Sequence, residues 1–233
     1  MSALRLAVFD MDGTLLESLP DLAECCREIL ARCGLPLLSD VQVRGMIGNG
    51  VQALVERALQ ASLAQKAKEN AGVAPAIPLS TEEAVSQFMA AYTPRATRLS
   101  RLFPGTEDAL RTLHAQGWLL AVCTNKPEKA ARRILADFNL TSLFASVGGG
   151  DSFAARKPDA RHLLGTIVQA GGHVARSVMV GDMPPDYLAA KGAGCPFVFA
   201  GWGYGAPELA RSAVAEAAGM HDIPALLEQV MPA

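Results

Sequence analysis

A chain of 233 residues, 50% apolar and 19% charged, can bury a sizeable core as one large domain or two modest ones. Its 21 basic and 23 acidic residues leave a formal charge of −2, with no basic excess to suggest nucleic acid and no acidic tail to suggest disorder. Five cysteines, an odd number without Cys-x-x-Cys spacing, argue against a disulfide framework or a zinc site and suit a reducing cytoplasm.

The first predicted element is a short buried strand over Leu6-Ala7-Val8-Phe9. A strand this early leaves no room for a signal peptide. No uncharged apolar run of about 18 residues offers a membrane span. Asp10-Met11-Asp12-Gly13-Thr14 follows directly, so two carboxylates stand one residue apart at a strand end, and Gly13 lets the chain turn without a Cβ clash. Open α/β sheets place their ligands at such loops. One carboxylate can attack phosphorus while the other moves a proton on and off the leaving oxygen. Asp and Gly are also ordinary turn residues. A phosphate site therefore requires the rest of the chain to supply a donor, a cation and further carboxylates.

A helical insert comes next. Leu19 to Cys33 has helical apolar spacing and ends at Gly34, and Val51 to Leu63 repeats that pattern. Ser62 to Leu79 carries Ala and Pro and reads as a helix end plus loop. Ser80-Thr81-Glu82-Glu83 predicts a capping box opening a helix to about Pro94. Gly48-Asn49-Gly50 is either an ordinary interhelical turn or a loop whose amides are free to meet a carboxylate. Arg57 and Arg95 are either substrate cations or solvated helix charges.

The later half alternates short apolar strands with helices, which implies βα units and a mostly parallel sheet. Leu119-Leu120-Ala121-Val122-Cys123 leads into Thr124-Asn125-Lys126. Thr124 and Asn125 can donate to phosphate oxygens or cap a helix starting near Pro127-Glu128, and a helix N-terminus is itself an anion site. Lys157, fixed before Pro158, is either a point cation for phosphate or surface charge. Ser177-Val178-Met179-Val180 leads into Gly181-Asp182 and then Asp186. Two carboxylates four apart can hold a hard cation, while Asp186 could instead N-cap a helix from Tyr187 to Gly192. His114, His162, His173 and His221 form no ligand set and read as surface or packing residues. Trp202 and Tyr204, beside glycines after the last strand, either line a site mouth or pack under their loop.

Asp10-Met11-Asp12-Gly13-Thr14, Thr124-Asn125, Lys157-Pro158, and Gly181-Asp182 with Asp186, in this order, resemble the four motifs of the haloacid dehalogenase-like superfamily of phosphatases. Within it the chain resembles the bacterial phosphoglycolate phosphatase group. That likeness rests on Glu17-Ser18-Leu19-Pro20-Asp21, Gly48-Asn49-Gly50 with Leu54 to Leu59, Phe103-Pro104-Gly105, Thr124 to Pro127, Gly149-Gly150-Asp151 and Trp202 to Gly205. Two positions depart from the pattern. Met183, followed by Pro184 and Pro185, stands where relatives carry a small residue, which implies a differently shaped metal-side loop. Glu17 stands where close relatives more often have Asp.

The resemblance implies an α/β fold: a Rossmann-like, mostly parallel sheet with helices on both faces. The core would be residues 1–16 and 98–233, with a small α-helical cap, residues 17–97, inserted after the first strand. It implies a Mg²⁺-dependent phosphatase acting through an aspartyl-phosphate on a small phosphorylated metabolite, with 2-phosphoglycolate the first choice. Asp10 would be the nucleophile and Asp12 the general acid and base, work typically worth ~10²–10⁴ in rate. Thr124 and Asn125 would orient the phosphoryl oxygens, and Lys157 would neutralise their charge. Asp10, the main-chain carbonyl of Asp12, and Asp182 would hold Mg²⁺, with Asp186 nearby. Gly48, Asn49 and Gly50 would form a cap loop facing the substrate. A cytoplasmic monomer or homodimer, with no nucleic-acid or membrane partner, is expected. Another sugar phosphate, a nucleotide, pyrophosphate, or transfer within a sugar phosphate as in the β-phosphoglucomutases are the alternatives. The intact Asp10, Asp12, Lys157 and Asp182 argue against a silent binding protein.

Overall fold

The computed structural model describes residues 4–69 and 79–232. Short apolar runs form its strands because residues buried on both faces of a sheet must be apolar throughout. β1 (Leu6–Phe9) has all four side chains buried. After it come the two-residue strand β2 (Leu16–Glu17) and four helices, α1 (Leu19–Arg32), α2 (Asp40–Arg44), α3 (Val51–Glu69) and α4 (Thr81–Tyr92). β3 (Arg101–Leu102), α5 (Thr106–Ala115), β4 (Leu119–Cys123), α6 (Glu128–Asp137), β5 (Ser146–Gly148) and α7 (Ala160–Gln169) follow. The chain ends with β6 (Ser177–Gly181), α8 (Pro184–Ala193), β7 (Phe197–Ala200), β8 (Ala215–Ala217) and α9 (Ile223–Val230).

The chain divides into two compact units, Met1–Glu17 with Arg101–Ala233, and Ser18–Ser100. In the first, six strands form a parallel sheet in the order β5-β4-β1-β6-β7-β8. β1 is central, with Leu6 level with Leu119 on one side and Ser177 on the other. Alternate side chains point to opposite faces. Leu6 and Val8 accordingly share a buried cluster with Met179 of β6 and with Leu163 and Ile167 of α7. α5 packs against β4 outside that cluster, and α9 packs on α5, so helices cover both faces. This is the expected α/β architecture.

β2 and β3 pair antiparallel, Glu17 opposite Arg101, so the chain leaves this unit and re-enters it through neighbouring strands. One expectation is corrected. β7 is not the last strand, because Ala215–Ala217 adds a further parallel strand beside it.

The second unit is helical. α1 packs against α2, α3 and α4, and Ile29, Leu30, Leu54, Leu59 and Phe88 are buried within it. The capping box is present: Ser80 Oγ accepts from Glu83 N, and Glu83 Oε2 accepts from Ser80 N. The helix it opens ends at Tyr92, followed by a single 3-10 turn over Thr93–Arg95. α3 runs on to Glu69, past the expected end near Leu63; the rest of the expected loop, residues 70–78, lies outside the described residues. Among the described residues no helix is long and apolar enough to cross a membrane.

Candidate active site

The parallel register puts the C-terminal ends of β5, β4, β1 and β6 side by side, where an open α/β sheet presents its loops. Asp10 follows β1, Thr124 follows β4, Asp182 follows β6, and Lys157 lies between β5 and α7. The two central strands are locked at this edge by Asp10 N–H donating to Val180 O at 2.9 Å.

Lys157 is the hub. Its ammonium donates to Cys123 O at 2.6 Å and to Asp186 Oδ1 at 2.5 Å, and it lies 2.8 Å from Asp10 Oδ1. The Lys157 side chain is 1% exposed, so it is a buried ion-pair centre and not surface charge. Burial alone would push the ammonium down, but the Asp10 and Asp186 carboxylates outweigh it and hold the group above its ordinary value. Asn125 Nδ2 donates to Lys157 O at 2.9 Å, which ties the loop after β4 to the one after β5.

Asp182 is enclosed. Thr14 Oγ1 donates to its Oδ1 and Tyr204 N–H to its Oδ2, each at 2.8 Å. Gly13 adopts φ +89°, and a Cβ there would come within 2.3 Å of Asp182 Oδ2. The sharp turn after Asp12 and the close approach of the Asp182 carboxylate therefore both require glycine. Burial pushes the Asp10 carboxyl up to about 6, with the Asp186 charge adding to it and Lys157 opposing it. Burial, then Asp186 and Asp10, raise Asp182 well above the usual carboxylate range.

The Met183-Pro184-Pro185 segment keeps a regular helix start. Pro184 and Pro185 take the first two positions of α8, where a main-chain N–H has no acceptor within the helix. Asp186 is the third residue of that helix and does not cap a later one: its Oδ2 accepts from Met183 N at 2.9 Å while Oδ1 takes Lys157. Thr124 and Asn125 likewise do not cap α6, whose N-cap is Pro127; Thr124 Oγ1 instead accepts from Lys126 N at 3.2 Å.

Asp10, Asp12, Thr124, Asn125, Lys157, Asp182 and Asp186 thus belong to one unit, and Asp10, Asp182 and Asp186 offer carboxylate oxygens within 4.8 Å of one another. Gly48, Asn49 and Gly50 belong to the other unit. There Arg57 holds their loop, donating to Met46 O at 3.0 Å and to Asn49 Oδ1 at 2.8 Å. Arg95 makes two 2.6 Å bonds to Glu28. Both guanidinium groups are engaged within their own unit.

Sequence reasoning passed over Lys126, whose buried ammonium lies 3.0 Å from Asp12 Oδ1. Its position directly after the Thr124-Asn125 pair was the available signal. Trp202 packs under its loop, donating Nε1–H to Thr14 O at 3.0 Å and meeting Phe103 edge-on. His162 is a fully buried residue bonded to main chain on both ring nitrogens.

The chain is 38% identical over 199 residues to the phosphoglycolate phosphatase of Agrobacterium fabrum, covering 85% of this chain and 81% of that protein. It is 35% identical over 231 residues to the phosphoglycolate phosphatase of Vibrio cholerae, covering 99% of each. Among solved structures, a predicted phosphoglycolate phosphatase from Haemophilus somnus superposes with a TM-score of 0.86 at 33% identity, covering 97% of this chain and 99% of that one. The model of the haloacid dehalogenase-like hydrolases matches residues 7–200, a span that takes in β1 from its second residue, β4 and β6, with the carboxylates that follow them and Lys157, and the chain belongs to that family.

Proposed function

We propose that this chain is a Mg²⁺-dependent phosphoric monoester hydrolase that works through an aspartyl-phosphate on Asp10, with 2-phosphoglycolate as its substrate. The observation that carries the reading is the buried set in which Lys157 joins Asp10 to Asp186 beside Asp182. The choice of 2-phosphoglycolate rests on what the relatives from Agrobacterium fabrum and Vibrio cholerae are named for.

An Asp10 carboxylate oxygen attacks phosphorus, and the bond to the organic oxygen breaks with its electron pair staying on that oxygen. The Asp12 carboxyl gives its proton to the leaving oxygen. Asp12, now a carboxylate, takes a proton from water, which attacks the same phosphorus and releases inorganic phosphate and free Asp10. Asp12 is less buried than Asp10, 14% exposed against 7% by side chain, as suits a group that exchanges protons with an arriving water. Lys157 holds one negative oxygen of the phosphoryl group through charge, and the Thr124 hydroxyl orients another. Asn125 steadies the Lys157 main chain.

The residues present fit a magnesium ion. Three buried carboxylates, Asp10, Asp182 and Asp186, bring oxygens close together, two of them paired with Lys157, and hard oxygen donors suit a small hard cation. Asp10, the main-chain carbonyl of Asp12, and Asp182 would hold it, with Asp186 alongside. When bound, the ion supplies positive charge to the transferring phosphoryl oxygens. Gly48, Asn49 and Gly50 contribute to substrate choice in this reading.

Phosphate release from the purified protein with Mg²⁺, across a panel of phosphate monoesters and with Asp10→Asn as control, tests it. The expected result is preference for 2-phosphoglycolate and no turnover by the variant. Preference for another ester removes the substrate and keeps the chemistry. Undiminished turnover by Asp10→Asn removes the nucleophile.

A further inference from the structure

Lys157 must present its ammonium at a fixed point, and a flexible four-carbon side chain does so only if its own main chain is fixed. The Lys157 carbonyl is held by Asn125. Its N–H donates to His162 Nδ1 at 3.1 Å. A ring nitrogen that accepts carries no proton, so the other nitrogen carries it. His162 Nε2 lies 3.2 Å from Gly148 O, the acceptor that such a proton needs. The same Gly148 carbonyl accepts from Thr124 N–H at 2.9 Å. One imidazole therefore joins the loop of Lys157 to the end of β5, at the atom that also holds Thr124. The ring is fully buried, with Phe153 edge-on at 5.8 Å between centroids. Burial, with the Lys157 charge adding to it, pushes the imidazole down to about 4, which keeps it neutral around neutral pH.

We propose that His162, as the neutral Nε2–H tautomer, is a positioning residue for Lys157, fixing the main chain from which the phosphate-facing ammonium is presented. The proposal rests on the reading of Lys157 as that cation.

Asparagine and glutamine separate the two halves of the imidazole. Asn places an acceptor as many bonds from Cα as Nδ1, and Gln places a donor as many bonds away as Nε2. In the full-length protein, kcat and KM for 2-phosphoglycolate with Mg²⁺ are to be measured for His162→Asn, His162→Gln and His162→Leu at a temperature where each is folded. The expected kcat falls by a few-fold at most in His162→Asn, and by about 10- to 100-fold in His162→Gln and His162→Leu, the scale of a misplaced catalytic group. Equal kcat in all three, or His162→Asn as poor as His162→Leu, overturns the proposal. A role in folding alone would order the variants by stability instead. The ¹⁵N shifts of His162 in the wild type give a readout independent of turnover. An unprotonated Nδ1 with a protonated Nε2 is expected at pH 7, and the opposite tautomer or an imidazolium overturns the proposal. A wild type that releases no phosphate yet shows the expected tautomer defeats the assignment of activity and still supports the pin on Lys157.

Discussion

The hydroxyl of Tyr204 donates to Glu17 Oε1 at 2.7 Å, while the main-chain N–H of Tyr204 donates to Asp182 at 2.8 Å. One residue thus joins a carboxylate of the candidate metal site to the strand through which the chain leaves its unit. A bond between a phenol and a partly buried carboxylate contributes about 1 kcal/mol net. A double-mutant cycle of Tyr204→Phe and Glu17→Ala, read by urea denaturation, is expected to show coupling of about that size. Strict additivity would mean that the bond carries no net stability.

The raised Asp10 carboxyl is a cost to the metal-free fold. Its folded value is about 6 against an ordinary 3.8, so above pH 6 the folded protein holds a charge that the unfolded chain solvates better. Asp10→Asn is expected to abolish turnover and to stabilise the metal-free protein at pH 7 by about 1–3 kcal/mol. That gain should shrink as the pH is lowered through 6 towards 3.8, because wild-type Asp10 then takes up its proton in the fold. Denaturation in EDTA at pH 7 and pH 4.5 checks the sign. Mg²⁺ should raise the wild-type Tm by mass action, and raise that of Asp10→Asn by less.

Gly13→Ala places a Cβ 2.3 Å from Asp182 Oδ2 on a backbone at φ +89°. Asp182 cannot easily give way, since Thr14 and Tyr204 hold both its oxygens. Strain and overpacking together predict a loss of about 2–4 kcal/mol. Tm and Mg²⁺ affinity should fall together. A variant with unchanged Mg²⁺ affinity would show that Asp182 is more mobile than its contacts imply.

The readable parts of this chain were those set by local pattern. Leu6–Phe9 and Leu119–Cys123 are apolar throughout, as a strand buried on both faces requires, and too short for a buried helix. Asp10 and Asp182 could be picked out because each follows such a run. Ala215–Ala217 could not, because Ala-Glu-Ala has no strand pattern and is held by pairing with β7 at the sheet edge. The extension of α3 to Glu69 was hidden in an Ala-, Lys- and Glu-bearing stretch, where propensity outweighs the weak apolar spacing. Pro184 and Pro185 sit at the first turn of α8, where they cost no intrahelical bond, a placement that residue type alone does not reveal. Glu17–Tyr204 and Asn125–Lys157 join residues far apart in sequence, so nothing local announces them.

In the helical unit, Asp21 is fully buried and its Oδ2 accepts from Leu99 N at 2.9 Å and from Ser100 N and Ser100 Oγ at 2.7 Å each. It ties the first helix of that unit to its last residues. Asp21→Ala strands three donors, for which a loss of about 3 kcal/mol is expected. Ser100→Ala removes one bond together with its donor and should cost about 1 kcal/mol. Equal losses in urea denaturation would show that the main-chain donors find other acceptors.

His162 gives a pH dependence of opposite sign to Asp10. Its folded value is about 4 and its ordinary value 6.5, so the unfolded chain takes up the proton first as the pH falls. The stability that the neutral imidazole contributes is complete above about pH 6.5 and is lost as the pH falls towards 4, reaching about 3 kcal/mol at the bottom of that window. Because Asp10 and Asp182 gain in the same window, the net wild-type profile does not isolate the effect. The difference in unfolding free energy between the wild type and His162→Asn does, since both carry the same carboxylates. That difference is expected to shift by about 3 kcal/mol in favour of the variant between pH 7 and pH 4. A difference that stays level across this range would mean that His162 titrates normally in the fold and that its ring is not held neutral by burial.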